Sequence, residues 1–287
     1  NTSQFNRAAQ ALRSPGSTFK LFVYLTALKE GMKPETVING SNRCFAGYCP
    51  HNFGGRVVGS VPMWFALQNS LNTVAVALLQ QVGFDRVIAT AKSLGISREL
   101  GRFYPLAVGA TEQSVLDMTS AYAAIFNRGV YVSPTPFEEI LGPNGELLWS
   151  RRVDGDRGRR AVPSDIADAM LWMLQQVVNG GTGGGAAMPG RPVAGKTGTA
   201  HKLENGSYAE RKYRASFVGF APVSNPRLVI AVMIDEPSAG KYFGGDVAAP
   251  VFSQIMGGAL RLLSVVPDAP NKPIIMPPEG EEVQESI

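Results

Sequence analysis

The sequence lacks several features that would place it in other protein classes. Its 287 residues contain no apolar run near the about 20 residues that cross a bilayer, so we expect no membrane span. The net charge of +4 is small and spread along the chain, which does not indicate a nucleic-acid partner. No self-similar period is present, which argues against a repeat protein. Two cysteines and two histidines are too few to favour a zinc site, and we expect neither a metal nor a cofactor.

The two cysteines lie close together. Cys44 and Cys49 are separated by four residues, and Gly47 and Pro50 indicate a bent loop between and after them. A short-loop disulfide suits an oxidising compartment, and two reduced surface thiols are the alternative. The sequence alone leaves both open.

The composition that is present favours a folded, loop-rich domain. Hydrophobic residues make up 45% and charged residues 17%, which is apolar enough for a sizeable core. The 32 glycines and 20 prolines predict many turns. The chain starts at Asn1 and shows no signal peptide, so we expect any export signal or membrane anchor only in a longer parent chain.

Hydrophobic periodicity predicts an α+β fold, with an antiparallel sheet covered by helices plus a helical lobe. The predicted helices cover residues 17–30, 60–81 with a break near Ser70, 84–94, 112–127, 164–179 with Ser164 as cap, and 246–263. Strands are predicted over 192–200, 215–222 and 227–236, and a hairpin within 131–149. Residues 31–60 are rich in Gly, Asn and Pro and are predicted to form a long loop. We expect one domain over 1–266 and a flexible, Pro/Glu-rich tail over 267–287.

Ser17 and Lys20 form the first motif with chemical potential. They follow Pro15-Gly16, and on a helix their spacing of three puts both on one face. A serine needs a base to act as a nucleophile, and a lysine of lowered pKa can serve. Alone, the pair is far more typical of a helix cap beside a surface lysine.

The second motif is Ser70-Leu71-Asn72, at the predicted break between helices. Such a turn can present a hydroxyl and an amide to a cleft. It is also typical of a simple cap between two helices.

The third motif, Lys196-Thr197-Gly198-Thr199, lies in a predicted strand. Gly198 allows close approach of a ligand or another backbone. Thr197 and Thr199 share one face, and their hydroxyls with an ammonium group suit a carboxylate. A phosphate loop is disfavoured, because the glycine spacing fails and no helix follows the lysine.

Taken in order, the three motifs are those of serine β-lactamases and penicillin-binding proteins. The chain resembles the transpeptidase domain of penicillin-binding proteins up to about Pro267. Its first half resembles the bifunctional class A enzymes, and its second half the class B septal transpeptidases. The matching stretches are Arg13-Ser14-Pro15-Gly16-Ser17-Thr18-Phe19-Lys20, Ser70-Leu71-Asn72, Leu106-Ala107-Val108-Gly109-Ala110-Thr111-Glu112, Val193-Ala194-Gly195-Lys196-Thr197-Gly198-Thr199-Ala200 and Gly240-Lys241-Tyr242-Phe243-Gly244-Gly245-Asp246.

The resemblance implies a peptidoglycan D,D-transpeptidase or carboxypeptidase. Ser17 would attack the penultimate D-alanine of a stem peptide, and Lys20 would take its proton while Lys196 holds down the Lys20 pKa. Ser70 and Asn72 would relay the proton to the leaving amine and hold the substrate amide. β-Lactam antibiotics would acylate Ser17 in the same way.

The resemblance also implies the binding residues and the setting. Lys196 and the run Thr197-Gly198-Thr199 would bind the terminal carboxylate, and the N–H groups of Ser17 and Thr199 would form the oxyanion hole. The aromatic pair Tyr242 and Phe243 would line the pocket. The implied location is the periplasmic, extracytoplasmic face of the inner membrane, which favours the disulfide, with cell-wall synthesis or division proteins as partners.

The chain departs from the family pattern at its start. Family members build a five-stranded sheet, and two of its strands precede the first motif. Only 16 residues precede Ser17 here, and they do not alternate. We therefore expect an incomplete sheet with an exposed apolar edge along residues 227–236.

Two other functions remain as alternatives. A β-lactamase needs a way to hydrolyse the acyl-serine, but no glutamate between the second and third motifs has an asparagine four residues later. A catalytically idle binding module or antibiotic sensor would keep the motifs without turnover, and the missing strands favour it over the β-lactamase.

Overall fold

The chain forms a helical lobe and a sheet lobe. The structure, a computed structural model, describes residues 4–204 and 207–268, without the side chains of 203, 204 and 207–211. The helices are α1 (Lys20–Lys29), α2 (Met63–Gln68), α3 (Asn72–Val82), α4 (Phe84–Ser93), α5 (Val115–Phe126), α6 (Arg151–Asp154), α7 (Ser164–Gly180) and α8 (Gly244–Leu262). The strands are β1 (Leu12–Arg13), β2 (Val37–Asn39), β3 (Ser60–Pro62), β4 (Gln113–Ser114), β5 (Val130–Tyr131), β6 (Glu139–Leu141), β7 (Leu147–Ser150), β8 (Arg159–Arg160), β9 (Ala194–Glu204), β10 (Ser207–Ala221) and β11 (Leu228–Asp235).

α1 is the central helix of the helical lobe. Every residue from Lys20 to Leu28 is buried. A helix that is apolar on all sides must be surrounded by other elements, and α1 packs against α3, α4 and α7. Lys20 therefore enters the apolar core at the first turn of the helix.

The main sheet separates two clusters of buried side chains. Its strands run antiparallel in the order β11–β10–β9. Side chains alternate between the two faces of a strand. On β10, Phe217 and Ala221 pack against α8, whereas Val218 and Phe220 face the helical lobe. The sheet thus holds the third motif on β9 between the two lobes.

The predicted α+β architecture is confirmed. The helix predicted over 60–81 breaks at residues 69–71, as expected near Ser70. The hairpin within 131–149 is present as β6 and β7. The strands predicted over 192–200, 215–222 and 227–236 are β9, β10 and β11, and the first two run further than predicted because their extensions pair with each other.

Several local predictions differ from the structure. Residues 60–62 and 113–114, predicted at the start of helices, form β3 and β4 because they pair with β2 and β1. Ser17 lies in a short 3-10 turn, Gly16–Phe19, and the α-helix begins only at Lys20. Ser164 is the first residue of α7 and makes no capping hydrogen bond, and Pro163 occupies the cap position. A proline fixes an extended entry into the helix without needing a side-chain acceptor.

β11 is an edge strand, as predicted. No described strand pairs with its outer side. The described segment before Ser17 contributes β1, which pairs with β4 and not with the main sheet. The side chains from Leu228 to Ile234 are half-buried rather than fully exposed, because α5 and α8 pack against β11.

Cys44 and Cys49 form a disulfide, which decides between the two alternatives for this pair. The loop is further held by Phe45, which is buried and packs against Tyr104. Asn52, three residues after Cys49, hydrogen-bonds the backbone of Asn72 in the second motif.

Two remaining observations concern membranes and the tail. Among the described helices, none is by itself long and apolar enough to cross a membrane. One bent pair, Asn72–Val82 with Phe84–Ser93, has the combined length and composition of a membrane span. The predicted tail lies outside the described residues from 269 onward. The domain division at residue 266 stays a prediction.

Candidate active site

The first and third motifs touch through two glycines. Gly16 has φ +54°, and a Cβ there would lie 3.0 Å from the carbonyl oxygen of Thr199. A Cβ on Gly198 would lie 2.6 Å from the carbonyl oxygen of Pro15. Both contacts are with backbone, which cannot move aside as a side chain can. The missing side chains therefore let the turn that carries Ser17 lie directly against β9.

Lys20 lies at the centre of a hydrogen-bonded cluster. Its side chain is fully buried, and Nζ donates to the Ser70 carbonyl oxygen at 2.6 Å and to Asn72 Oδ1 at 2.7 Å. Burial, and secondly the charge of Lys196, lower the pKa of Lys20 well below 10.5. A neutral amine has two N–H donors and one lone pair. With both donors engaged, the lone pair remains for a hydroxyl proton.

Ser70 bridges the two lysines. Its Oγ lies 3.1 Å from Lys20 Nζ and 3.0 Å from Lys196 Nζ. The residue lies in the turn between α2 and α3 with φ +55°, a conformation that is uncommon for a non-glycine residue and tends to occur at functional sites. This backbone turn directs the second motif at both amines.

Lys196 is the second buried amine. It is fully buried, and besides Ser70 its Nζ donates to the carbonyl oxygen and Oγ1 of Thr197 at 3.2 and 3.3 Å. Burial lowers its pKa to about 7. Its ammonium and amine forms are thus both populated near neutral pH.

The threonines of the third motif present hydroxyls on one side of β9. Thr197 Oγ1 lies 2.8 Å from Thr182 Oγ1, and Thr199 Oγ1 accepts a hydrogen bond from the Gly244 N–H at 3.0 Å. Gly244 is the first residue of α8. The beginning of α8 is therefore fixed against the third motif.

Tyr242 and Phe243 lie next to this contact. Tyr242 stacks on Tyr213 with ring centroids 4.2 Å apart. Phe243 meets Phe53 edge to face at 4.6 Å. The aromatic pair directly precedes Gly244, which contacts Thr199, and Phe53 adds a ring from the segment that precedes the second motif.

Sequence reasoning missed Asn52. Leu71 occupies the cap position of α3 and has no side-chain acceptor. Asn52, 5% exposed, supplies one: its Oδ1 accepts from the N–H groups of Asn72 and Thr73 at 2.8 and 3.1 Å. The His51 carbonyl oxygen accepts from Asn72 Nδ2 at 2.8 Å. No local pattern could reveal this, because Asn52 caps a helix twenty positions later.

Ser17 is half-buried, and none of the described residues hydrogen-bonds its Oγ. It precedes Lys20 by one turn. The structure therefore brings together the predicted residues of all three motifs, with Tyr242 and Phe243 beside them. The described residues contain no group of three or more His, Cys, Asp or Glu side chains that could hold a metal ion.

The family model of the penicillin-binding protein transpeptidase domain matches residues 1–257. The chain is 33% identical to penicillin-binding protein 1A of Aquifex aeolicus over 288 residues, which cover 97% of this chain and 36% of that protein. It is 31% identical to a probable peptidoglycan D,D-transpeptidase PenA of Neisseria meningitidis, over 92% of this chain and 47% of the relative. The chain thus spans between a third and a half of the length of these relatives.

A solved structure shows the same fold. Penicillin-binding protein 3 of Mycobacterium tuberculosis, complexed with aztreonam, superposes with a TM-score of 0.81 at 26% identity, over 94% of this chain and 67% of that one. The similarity therefore extends over both lobes.

Proposed function

Because this chain belongs to the penicillin-binding protein transpeptidase domain family, we propose that it cross-links peptidoglycan stem peptides through an acyl-serine on Ser17. The observation that carries the proposal is the chain of contacts from Lys20 through Ser70 to Lys196, next to the Ser17 turn. A serine nucleophile without a histidine needs another base, and the buried amine of Lys20, one turn after Ser17, can serve.

Acylation begins with attack of Ser17 Oγ on the carbonyl carbon of the penultimate D-alanine. The neutral amine of Lys20 accepts the hydroxyl proton, and the new C–O bond gives a tetrahedral oxyanion. The C–N bond then breaks, and the leaving D-alanine amine takes a proton. Ser70, which contacts Lys20 and Lys196, is placed to deliver it.

The oxyanion is stabilised by the N–H groups of Ser17 and Thr199. The close approach of Gly16 to the Thr199 backbone supports this pairing. Donors fixed before the reaction stabilise charge that develops in the transition state without a reorganisation cost.

The terminal carboxylate of the donor peptide binds at Lys196, Thr197 and Thr199. Gly198 lets the turn that carries Ser17 lie directly against β9, and Tyr242 and Phe243 form the wall of the pocket. Asn72 is held by His51 and Lys20 and keeps one amide N–H for the substrate carbonyl.

The acyl-serine is resolved by an amine of a second stem peptide, which gives the cross-link, or by water, which gives carboxypeptidase activity. β-Lactams form the same ester and block the site. The substrate places the domain outside the cytoplasm, at the cell wall, and proteins of wall synthesis or division are the partners expected of the parent chain.

Covalent labelling with a fluorescent penicillin tests the proposal. The chain should carry one label, located on Ser17 by mass spectrometry of the labelled peptide, and Ser17→Ala should carry none. Equal labelling of the variant would reject the assignment. Fast nitrocefin turnover would indicate a β-lactamase, and a folded chain that takes no label would indicate an idle binding module.

A further inference from the structure

Thr182 belongs to the glycine-rich loop between α7 and β9. Its N–H donates to the Gln68 carbonyl oxygen at 3.1 Å, and the N–H of Gly183 donates to Val177 at 2.9 Å. A Cβ on Gly181 would run into the Gln68 carbonyl oxygen. The loop is therefore fixed against the residue two positions before Ser70, and Thr182 faces the third motif from there.

The hydroxyl of Thr197 has two neighbours that compete for its lone pairs and its proton. Lys196 Nζ lies 3.3 Å and Thr182 Oγ1 lies 2.8 Å from Thr197 Oγ1. A hydroxyl has two acceptor positions and one proton. While an N–H of Lys196 is directed at Thr197 Oγ1, it occupies one of the two acceptor positions of that hydroxyl. The direction of the bond to Thr182 then decides where the Thr197 proton goes.

We propose that Thr182 is a positioning residue that donates its hydroxyl proton to Thr197 Oγ1 and so directs the Thr197 proton at the substrate carboxylate. This inference rests on the proposed function. With Lys196 and Thr182 in both acceptor positions, the Thr197 proton can only be donated outward, into the cleft. Thr182 is solvent-exposed, and among the described residues its hydroxyl hydrogen-bonds only Thr197.

The neighbouring threonine follows the same arrangement. Thr199 Oγ1 accepts from the N–H of Gly244, a group that can only donate. Its proton is thereby also left for a ligand. Two hydroxyls on one face of β9, each with a fixed donor behind it, present two protons to one anion.

The test compares the unaltered chain and three variants on two ligands. The ligands are an N-acyl-D-alanyl thioglycolate thioester, which ends in a carboxylate, and its methyl ester, which does not. The second-order rate of acylation is followed by thiol release. Thr182→Val keeps the side-chain shape and removes the hydroxyl, whereas Thr182→Ser restores it. Thr119→Val, on α5, is the matched control, because its hydroxyl bonds only its own helix at Val115.

We expect Thr182→Val to lose about tenfold in rate with the carboxylate ligand, the value of one hydrogen bond to a charged group, and less than about twofold with the methyl ester. Thr182→Ser should react as the parent does. Equal losses with both ligands, or no loss with either, would overturn the inference. If the unaltered chain and Thr119→Val release no thiol from either ligand, the proposed function fails, and the inference fails with it.

Discussion

Lys196 Nζ lies 3.0 Å from Ser70 Oγ, although the two residues are 126 positions apart in the sequence. Lys20, which precedes Ser70 by 50 positions, places its Nζ 3.1 Å from the same oxygen. Because a hydroxyl can accept from one amine while it donates to the lone pair of another, Ser70 connects the two lysines as a proton path.

Ser70→Ala should interrupt this path. We expect the rate of penicillin acylation to fall by about 10²- to 10⁴-fold, the usual contribution of a positioned proton donor or acceptor. Stopped-flow labelling measures it. Ser120→Ala on the exposed side of α5 is the control and should keep the parent rate. A loss below tenfold in Ser70→Ala would remove Ser70 from the proton path.

Lys196→Gln should move the pH profile of acylation. The charge of Lys196 is the second cause, after burial, of the lowered Lys20 pKa, so its removal raises that pKa. Less Lys20 is then neutral at a given acidic pH, and the acid limb moves to higher pH. The rate of benzylpenicillin acylation against pH measures the midpoint, and Lys33→Gln controls for a lost surface charge. An unchanged or lower midpoint would contradict the coupling.

Lys196→Met should flatten the pH dependence of stability. Lys196 has a pKa of about 7 in the folded chain against 10.5 for a free lysine, so the folded state binds fewer protons between these values. The free energy of unfolding therefore rises with pH in this window, by about 1 kcal/mol per pH unit from this group, and this stability is absent below pH 7. Urea unfolding at several pH values measures the slope. Lys20 contributes with the same sign, so the variant should keep a smaller positive slope; equal slopes would count against the prediction.

Asn52→Ala should weaken both the fold and the site. It removes the acceptor for two N–H groups of α3, and we expect a loss of about 2 kcal/mol in unfolding free energy together with slower acylation. Asn52→Asp keeps the acceptor but loses the Nδ2 donor to the Arg56 carbonyl oxygen and to Thr73 Oγ1, so it should recover only part of the stability. Asn127→Ala, which removes an exposed asparagine with one hydrogen bond to Val130, is the control. If Asn52→Ala and Asn127→Ala unfold at the same denaturant concentration, Asn52 is not a cap.

Gly16→Ala should lower the free energy of unfolding by more than a positive φ alone explains. Gly54 has a similar φ of +64° and open space around it in the described structure, whereas a Cβ on Gly16 would lie 3.0 Å from the Thr199 carbonyl oxygen. Both alanine variants bear the cost of the backbone conformation, of order 1 kcal/mol. Only Gly16→Ala should in addition separate the first motif from the third, which penicillin labelling detects. Full labelling of Gly16→Ala would contradict the close contact.

The sequence permits prediction of what is local or carried by a known motif. Periodicity located the helices and the main strands, because burial of an apolar face imposes it. The motif residues Ser17, Lys20, Ser70, Asn72 and Lys196 were found from their order along the chain.

What could not be predicted depends on contacts between distant segments. Asn52 and Thr182 lie in loops without periodicity, and each acts on a residue 15 or more positions away. The 3-10 turn at Ser17 is likewise fixed from outside, by β9 against Gly16. Whether the two halves of the chain derive from different classes of the family stays a prediction, since the named relatives both align with nearly all of it.

The capping of α3 by Asn52 sets a limit on transplanting this site. A graft of residues 70–82 into a foreign scaffold would carry every letter of the second motif and still leave the first amides of the helix without an acceptor. A protein engineer would have to import residues 51 and 52 as well, or build a new loop that delivers an amide oxygen to the same place.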